Sequence, residues 1–192
     1  MTEDEYKDTI KQLDWGDLKR LWNDRRNPGL WKKWGKGKFF EYAIIRAFEL
    51  EGSEVKYPYN VPFPTAIKDG EEVMEQIDGI VYDNGLTVLV ESKDYKKNNI
   101  DIEPLAKLQV RLKRRPSSVI GCIFTASDFT LPAQVLIESL MPHTILLWNK
   151  SDIECCLERQ CFRKGLHLKY RSVIEDGNHM LNLSAMAQIN KL

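Results

Sequence analysis

Glu91 and Lys93 stand two residues apart at the end of an apolar stretch, and their types suit hydrolysis at a metal ion. The stretch predicts a strand, in which alternate residues share a face. A carboxylate that binds a divalent cation, beside a lysine that contacts the attacking water, is suited to phosphodiester cleavage. The same pair on a solvated face would be an ordinary surface ion pair.

A second carboxylate, Asp78, is expected beside this pair. Residues 75–82 predict another strand, and Asp83-Asn84-Gly85 between the two strands is typical of a tight hairpin turn with positive φ. The hairpin brings Asp78 towards Glu91. Because charged residues in central strands are costly unless they are paired or bound to metal, the two acids favour a metal site.

The order of these residues resembles the PD-(D/E)xK nuclease superfamily, and within it the Mrr-like restriction endonuclease catalytic domain. The matching positions are a helix glutamate, a strand aspartate and a strand Glu-x-Lys, here Glu41, Asp78 and Glu91-Ser92-Lys93. The resemblance covers residues 37–158 and extends through Gln109 and the segment GCIFTASDFT at 121–130. Ile77 replaces the proline of the superfamily name and leaves the aspartate in place.

The resemblance implies a role for each of these residues. Asp78, Glu91 and the backbone carbonyl of Ser92 would hold Mg²⁺, with Mn²⁺ as a substitute, and Lys93 would orient or deprotonate water. Glu41 would hold the metal through water or help to bind a second ion. Gln109 would position Lys93 or the phosphate backbone.

Three function classes follow from this resemblance. The first is a metal-dependent DNA endonuclease of the restriction or defence type, and the second is a Holliday junction or other structure-specific nuclease. The third is a non-catalytic nucleic-acid-binding module, against which the intact acids count. DNA sequence, structure and methylation specificity, RNA as a substrate, a homodimer and a separate recognition subunit are left open.

The formal net charge is zero, yet basic residues cluster along residues 19–38, where only Asp24 opposes them. Trp22, Trp31 and Trp34 are interleaved with these bases. They either stack on nucleic-acid bases or anchor the segment to the core. A second basic stretch covers residues 107–115. The predicted DNA contacts are Lys32, Lys33, Lys36, Lys38, Arg111, Arg114 and Arg115.

The length of 192 residues and the 43% hydrophobic content fit one nuclease domain. Residues 1–36 are expected to form a helical N-terminal extension, 37–163 the catalytic core and 164–192 a C-terminal extension. No apolar run is long enough for a membrane span, so we expect a cytoplasmic protein. Cys155, Cys156 and Cys161, placed in one predicted helix, are expected to be reduced.

Hydrophobic periodicity predicts an α/β fold with a restriction-endonuclease-like core: a central mixed sheet, combining an antiparallel hairpin with parallel crossover strands, flanked by helices. Predicted helices cover residues 7–23, 39–51, 102–114, 129–140 and 152–163, the last capped by Ser151. Predicted strands cover residues 54–61, 75–82, 87–93, 119–124 and 143–148. Residues 62–70 are expected to form a loop, and a further helix and strand are expected after residue 170.

Overall fold

The computed structural model describes residues 1–25, 27–35, 37–62, 73–95, 98–139 and 144–186. The strands within these ranges are β1 (Glu54–Lys56), β2 (Tyr59–Pro62), β3 (Val73–Ile77), β4 (Gly79–Asp83), β5 (Leu86–Lys93), β6 (Val119–Thr125) and β7 (Ile145–Trp148). The helices are α1 (Glu3–Lys11), α2 (Trp15–Asp24), α3 (Pro28–Trp34), α4 (Lys38–Leu50), α5 (Ile102–Lys113), α6 (Leu131–Glu138), α7 (Lys150–Arg159) and α8 (Phe162–Asp176). Leu183–Ala185 forms a short 3-10 turn.

The central sheet has the order β1-β4-β5-β6-β7. Strands β1, β4 and β5 pair antiparallel, whereas β5, β6 and β7 pair parallel through crossovers that contain α5 and α6. Asn84 and Gly85 join β4 to β5 with φ values of 46° and 84°. Both values are positive, as a two-residue type I′ hairpin requires. The predicted mixed α/β sheet and its hairpin are therefore confirmed.

Each face of the sheet is covered by helices, and the strand residues alternate between the two cores. Val88 and Val90 of β5 belong to the core shared with α4, α7, α8 and the N-terminal helices. Leu89, between them, belongs to the core shared with α5 and α6. Period-two alternation then places Glu91 on the α5 side of the sheet.

The predicted helix over residues 7–23 is wrong, because α1 and α2 are separate helices. Asp14 accepts a hydrogen bond from the backbone N–H of Asp17 at 2.9 Å and so caps the start of α2. The predicted helix over residues 152–163 is also divided. Its first part, α7, is capped by Asn149 and not by Ser151. It ends at Arg159, because the next residue, Gln160, has a φ of 52°. Cys161 therefore precedes α8 and lies outside the helix of the other two cysteines, although its Sγ is 3.7 Å from that of Cys156.

Two predicted strands are also divided in the structure. The strand over residues 54–61 ends before Pro58, which has no N–H to donate, and β2 then pairs with β3 in a separate two-stranded sheet. The strand over residues 75–82 is interrupted at Asp78. There Gly79 passes so close to α4 that a Cβ atom would lie 2.3 Å from Cδ1 of Ile45.

The remaining predicted elements differ at their ends. Helix α6 and strand β7 are shorter than residues 129–140 and 143–148, and residues 140–143 lie outside the described ranges. The predicted loop over residues 62–70 is wrong at Pro62, which belongs to β2, and its other residues, 63–70, lie outside the described ranges. The further helix expected after residue 170 is the second half of α8, which already begins at Phe162, and the 3-10 turn stands where a strand was expected. None of the described helices is both long enough and apolar enough to span a bilayer.

Two of the interleaved tryptophans anchor the N-terminal helices to the core. Trp22 is 3% exposed, packs against Phe40 with ring centroids 5.5 Å apart, and donates to Glu154 at 3.1 Å. Trp34 is 1% exposed and packs against Tyr6 and Phe39. Base stacking by these two side chains is therefore excluded. The side chain of Trp31 lies outside the described part of the structure.

Candidate active site

The last residues of β5 carry the Glu-x-Lys pair. The side chain of Glu91 is 4% exposed, and its Oε1 accepts a hydrogen bond from Nζ of Lys93 at 2.5 Å. Burial alone would lower the pKa of Lys93, but the charge and hydrogen bond of Glu91 outweigh it and raise that pKa above the ordinary lysine value. The amine therefore carries its proton at neutral pH.

Asp78 lies between β3 and β4, at the point where the chain passes from the small sheet to the large one. Its Oδ2 accepts a hydrogen bond from the backbone N–H of Ser92 at 2.8 Å, which ties it to the strand of the Glu-x-Lys pair. Burial, followed by repulsion from Glu91 and Glu41, raises the pKa of Asp78 to about 7. The carboxylates that the sequence brings together therefore interact electrostatically in the structure.

Glu41 occupies the first turn of α4 and pairs with Lys38 at 2.7 Å. Burial raises the pKa of Glu41, and the negative charge of Glu91 raises it further. The hydrogen bond and charge of Lys38 and the charge of Lys93 lower it, but by less. Glu41 therefore lies within the electrostatic field of the acid pair. Lys38 was predicted to contact DNA, and in the structure its amine forms an ion pair with Glu41.

Sequence reasoning missed Glu75 and the contact that Arg111 makes inside the site. Glu75 on β3 is buried, and Oε1 and Oε2 of its carboxylate face the guanidinium groups of Arg111, Arg114 and Arg115 at 3.1 Å each. Arg111 also donates from Nη1 to Oε2 of Glu91. Helical spacing places the three arginines on neighbouring faces of α5 and its end. No local pattern identifies their shared partner on β3.

The other predicted site residues lie outside this network. Gln109 is half-buried and makes no side-chain hydrogen bond among the described residues. Gln109 precedes Arg111 by two residues on α5, so the two side chains lie about 200° apart around the helix axis, and it is Arg111 that contacts Glu91. Lys32 and Lys33 are exposed at the end of α3, and Lys36 lies outside the described ranges. The roles assigned to these residues stay predictions.

The donor atoms at the end of β5 suit a hydrated cation. Within the described ranges, no three His, Cys, Asp or Glu side chains converge as metal ligands. Mg²⁺ needs fewer, because it keeps several waters and commonly binds through one or two carboxylates. Asp78 and Glu91 are buried oxygen donors whose repulsion a divalent ion would relieve, and the carbonyl of Ser92 lies between Glu91 and Lys93. The residues present therefore fit such an ion.

Comparison with known families decides what kind of domain holds this site. The model of the Mrr_cat family, described as restriction endonuclease, matches residues 34–156. The chain belongs to the Mrr_cat restriction endonuclease family. The matched range contains α4, the hairpin, both parallel crossovers and most of α7, and so includes every Mrr_cat position assigned from the sequence. No curated protein matches the chain.

Three solved structures are similar to parts or all of the chain, at low sequence identity. The DNA modification-dependent restriction endonuclease AspBHI is 15% identical over 89% of this Mrr_cat chain and 41% of its own, with a TM-score of 0.45. The MspJI restriction endonuclease, in complex with a 27-mer oligonucleotide, is 16% identical, with a TM-score of 0.43. The match covers 100% of this chain and 42% of the MspJI chain. A protein of unknown function, AF1548, is 18% identical over 56% of each chain, with a TM-score of 0.42. The chain thus spans 41% to 56% of the length of these structures.

Proposed function

We propose that this restriction endonuclease domain hydrolyses phosphodiester bonds in DNA with a divalent cation, Mg²⁺ or Mn²⁺, as an endonuclease of the Mrr-like restriction or defence type. The observation that carries the proposal is the pair of Glu91 and Lys93, 2.5 Å apart beside the buried Asp78 at the end of β5. A surface ion pair would not have a second buried carboxylate tied to the same strand by a hydrogen bond. This combination favours hydrolysis over simple binding of nucleic acid.

Each residue has a distinct role in this proposal. Asp78, Glu91 and the carbonyl of Ser92 would hold the cation, which would supply Lewis-acid stabilisation of the charge that develops on the phosphate. Lys93 is protonated at neutral pH because Glu91 raises its pKa. In this state it would orient the attacking water and the phosphate oxygens. A cation bound to Glu91 would lower this pKa again, so deprotonation of the water by Lys93 stays the alternative role.

The electrostatics around the acids support a polyanionic substrate. Lys93, Arg111, Arg114 and Arg115 surround the edge of the site, with Glu75 and Glu91 as their direct counter-charges. With Lys38, these cations face four carboxylates, Glu41, Glu75, Asp78 and Glu91, so the site alone is close to charge balance. A bound divalent ion would supply the excess of positive charge for phosphates. None of the four cysteines forms a disulfide, as is usual in a reducing compartment. We propose that the protein acts in the cytoplasm.

The proposal is tested by cleavage assays on purified protein. We expect Mg²⁺ or Mn²⁺ to support cutting of DNA, Ca²⁺ to support DNA binding without cutting, and EDTA to abolish cutting. Asp78→Ala and Glu91→Ala should each lose cleavage and stay folded. Glu175→Ala, which removes an exposed carboxylate on α8, is the matched control and should cut like the wild type. Cleavage in EDTA, or by either acid variant, would refute the metal site.

The substrates of the assay separate the nuclease types. Unmodified plasmid, modified plasmid, single-stranded DNA, four-way junctions and RNA should be compared in the same buffer. Preferential cutting of plasmid supports the restriction type, whereas preference for four-way junctions supports a structure-specific nuclease. Binding without cutting of any substrate, with either Mg²⁺ or Mn²⁺, would support a binding module and contradict the proposal.

A further inference from the structure

One guanidinium joins two buried carboxylates at the candidate active site. Arg111 donates from Nη1 to Oε2 of Glu91, and its Nε lies 3.1 Å from Oε1 of Glu75. The side chains of Glu91 and Glu75 are 4% and 3% exposed, so both carboxylates depend on nearby cations for compensation of their charge. Arg111 is therefore shared between a proposed metal ligand and a carboxylate with no assigned role.

Both oxygens of Glu91 are already bound to cations. Lys93 contacts Oε1 and Arg111 contacts Oε2. A divalent ion that binds through this carboxylate must therefore displace one of the two, or compete with it. Both cations are partly buried, and displacing such a cation is costly unless another anion receives it.

Arg111 has such an anion, because Glu75 already contacts its Nε. Glu75 also holds Arg114 and Arg115, so it is anchored to α5 by three guanidinium groups. Lys93, by contrast, has Glu91 as its ion-pair partner among the described residues, and the other carboxylates that interact with its charge, Asp78 and Glu41, belong to the proposed metal site. Arg111 is therefore the cation that can leave Glu91 and keep its charge compensated.

We propose that Arg111 is a placeholder cation: it occupies Glu91 while no divalent ion is bound, and Glu75 retains it when the ion takes its place. Arg111 and Glu75 are then positioning residues that set the affinity of the site for the ion. The inference rests on the proposed metal site. It explains how two carboxylates and a lysine are held together before the ion arrives, and why a buried glutamate faces three arginines from β3.

If Arg111 competes with the ion, each charge substitution should change the affinity for Ca²⁺ in a defined direction. Arg111→Gln removes the competitor and one positive charge beside the ion, and should tighten Ca²⁺ binding about tenfold, as expected for a unit charge several ångströms from a divalent ion. Arg114→Gln removes the same charge from Glu75 without touching Glu91, and should change affinity by less than about twofold because the exposed charge is screened. Glu75→Gln should weaken Ca²⁺ binding, and this effect should shrink when Arg111 is already glutamine.

Calorimetric titration of the full chain with Ca²⁺ alone, at about pH 8 where Asp78 is ionised, tests these predictions. Circular dichroism melts identify variants that fail to fold, and if Glu75→Gln is one of them, the comparison of Arg111→Gln with Arg114→Gln still decides. Equal affinity in those two variants, with Ca²⁺ binding that Asp78→Ala abolishes, overturns the placeholder and leaves the proposed function intact. Absence of Ca²⁺ binding that depends on Asp78 overturns the metal site and the placeholder together.

Discussion

Oδ2 of Asp78 accepts the backbone N–H of Ser92 at 2.8 Å, which joins the break between β3 and β4 to the strand that carries the Glu-x-Lys pair. This hydrogen bond fixes a carboxylate in a buried position where Glu91 and Glu41 repel it. The fold thus holds together groups that destabilise one another. Such local cost is characteristic of binding and catalytic sites.

Asp78→Asn should stabilise the protein at high pH. The pKa of Asp78 is raised to about 7 in the folded state, whereas the pKa of an unfolded aspartate is about 3.9. Ionisation is therefore disfavoured in the folded state, and wild-type stability falls as the pH rises from about 4 to about 7. Urea unfolding in EDTA should show a gain of about 1 to 3 kcal/mol for the variant near pH 8 and a smaller gain near pH 5. A gain that does not depend on pH would contradict this explanation.

Lys93→Met should separate binding from catalysis. The variant loses the protonated amine beside Glu91, so cleavage should fall about 100- to 1,000-fold, as for loss of one preorganised donor. Ca²⁺ binding should be retained or tightened, because a positive charge beside the carboxylate is removed. Single-turnover cleavage and Ca²⁺ titration measure the two effects, with Lys150→Met on α7 as the control. Loss of Ca²⁺ binding together with cleavage would mean that Lys93 only maintains the structure.

Lys32 and Lys33 provide a test of the N-terminal basic segment, since both are exposed on α3. If they contact phosphates, changing both to glutamine should weaken DNA binding for all sequences and lower the slope of log affinity against log salt by about 0.9 per lost contact. The measurement is a salt titration in Ca²⁺, which prevents cutting. Arg171→Gln with Lys150→Gln removes two charges elsewhere and is the control. An unchanged slope would mean that the N-terminal basic segment has a structural role and does not bind DNA.

Asp83→Asn should destabilise the fold at the far end of the hairpin. The carboxylate is paired with Arg163 at 2.5 Å and His167 at 2.6 Å, and Ser53 donates to it at 3.1 Å. Burial acts to raise the pKa of Asp83, but these partners outweigh it and lower that pKa. The stabilisation is therefore present above the unfolded pKa and lost as the pH falls through the lower folded pKa.

Urea unfolding of the Asp83 variant should show a loss of about 1 to 3 kcal/mol near pH 7, because Ser53 and the partly exposed Arg163 and His167 lose a buried charged acceptor. The difference from wild type should shrink under acid conditions. Glu175→Gln, which breaks an exposed ion pair, should change stability little. A loss of equal size at acid pH would contradict the electrostatic explanation.

Several features were predictable because they depend on neighbouring residues. Asn84-Gly85 specifies the hairpin through positive φ, and period-two alternation puts Glu91 and Lys93 on one face. The joint order of Glu41, Asp78 and the Glu-x-Lys pair identified the family. The strand boundaries were less accurate, because apolar alternation continues across Pro58 and Asp78 while the pairing partner changes from one sheet to another.

The sequence by itself determined the strand that carries Glu91 and Lys93, the turn before it and the family. The tertiary structure decided that Trp34 is buried rather than available for stacking, and that Arg111 bridges Glu91 and Glu75. The physical reason is the range of the interactions. Turn and strand periodicity follow from local backbone geometry, whereas the partner of a buried charge is set by how α5 packs on the sheet, across residues distant in the chain.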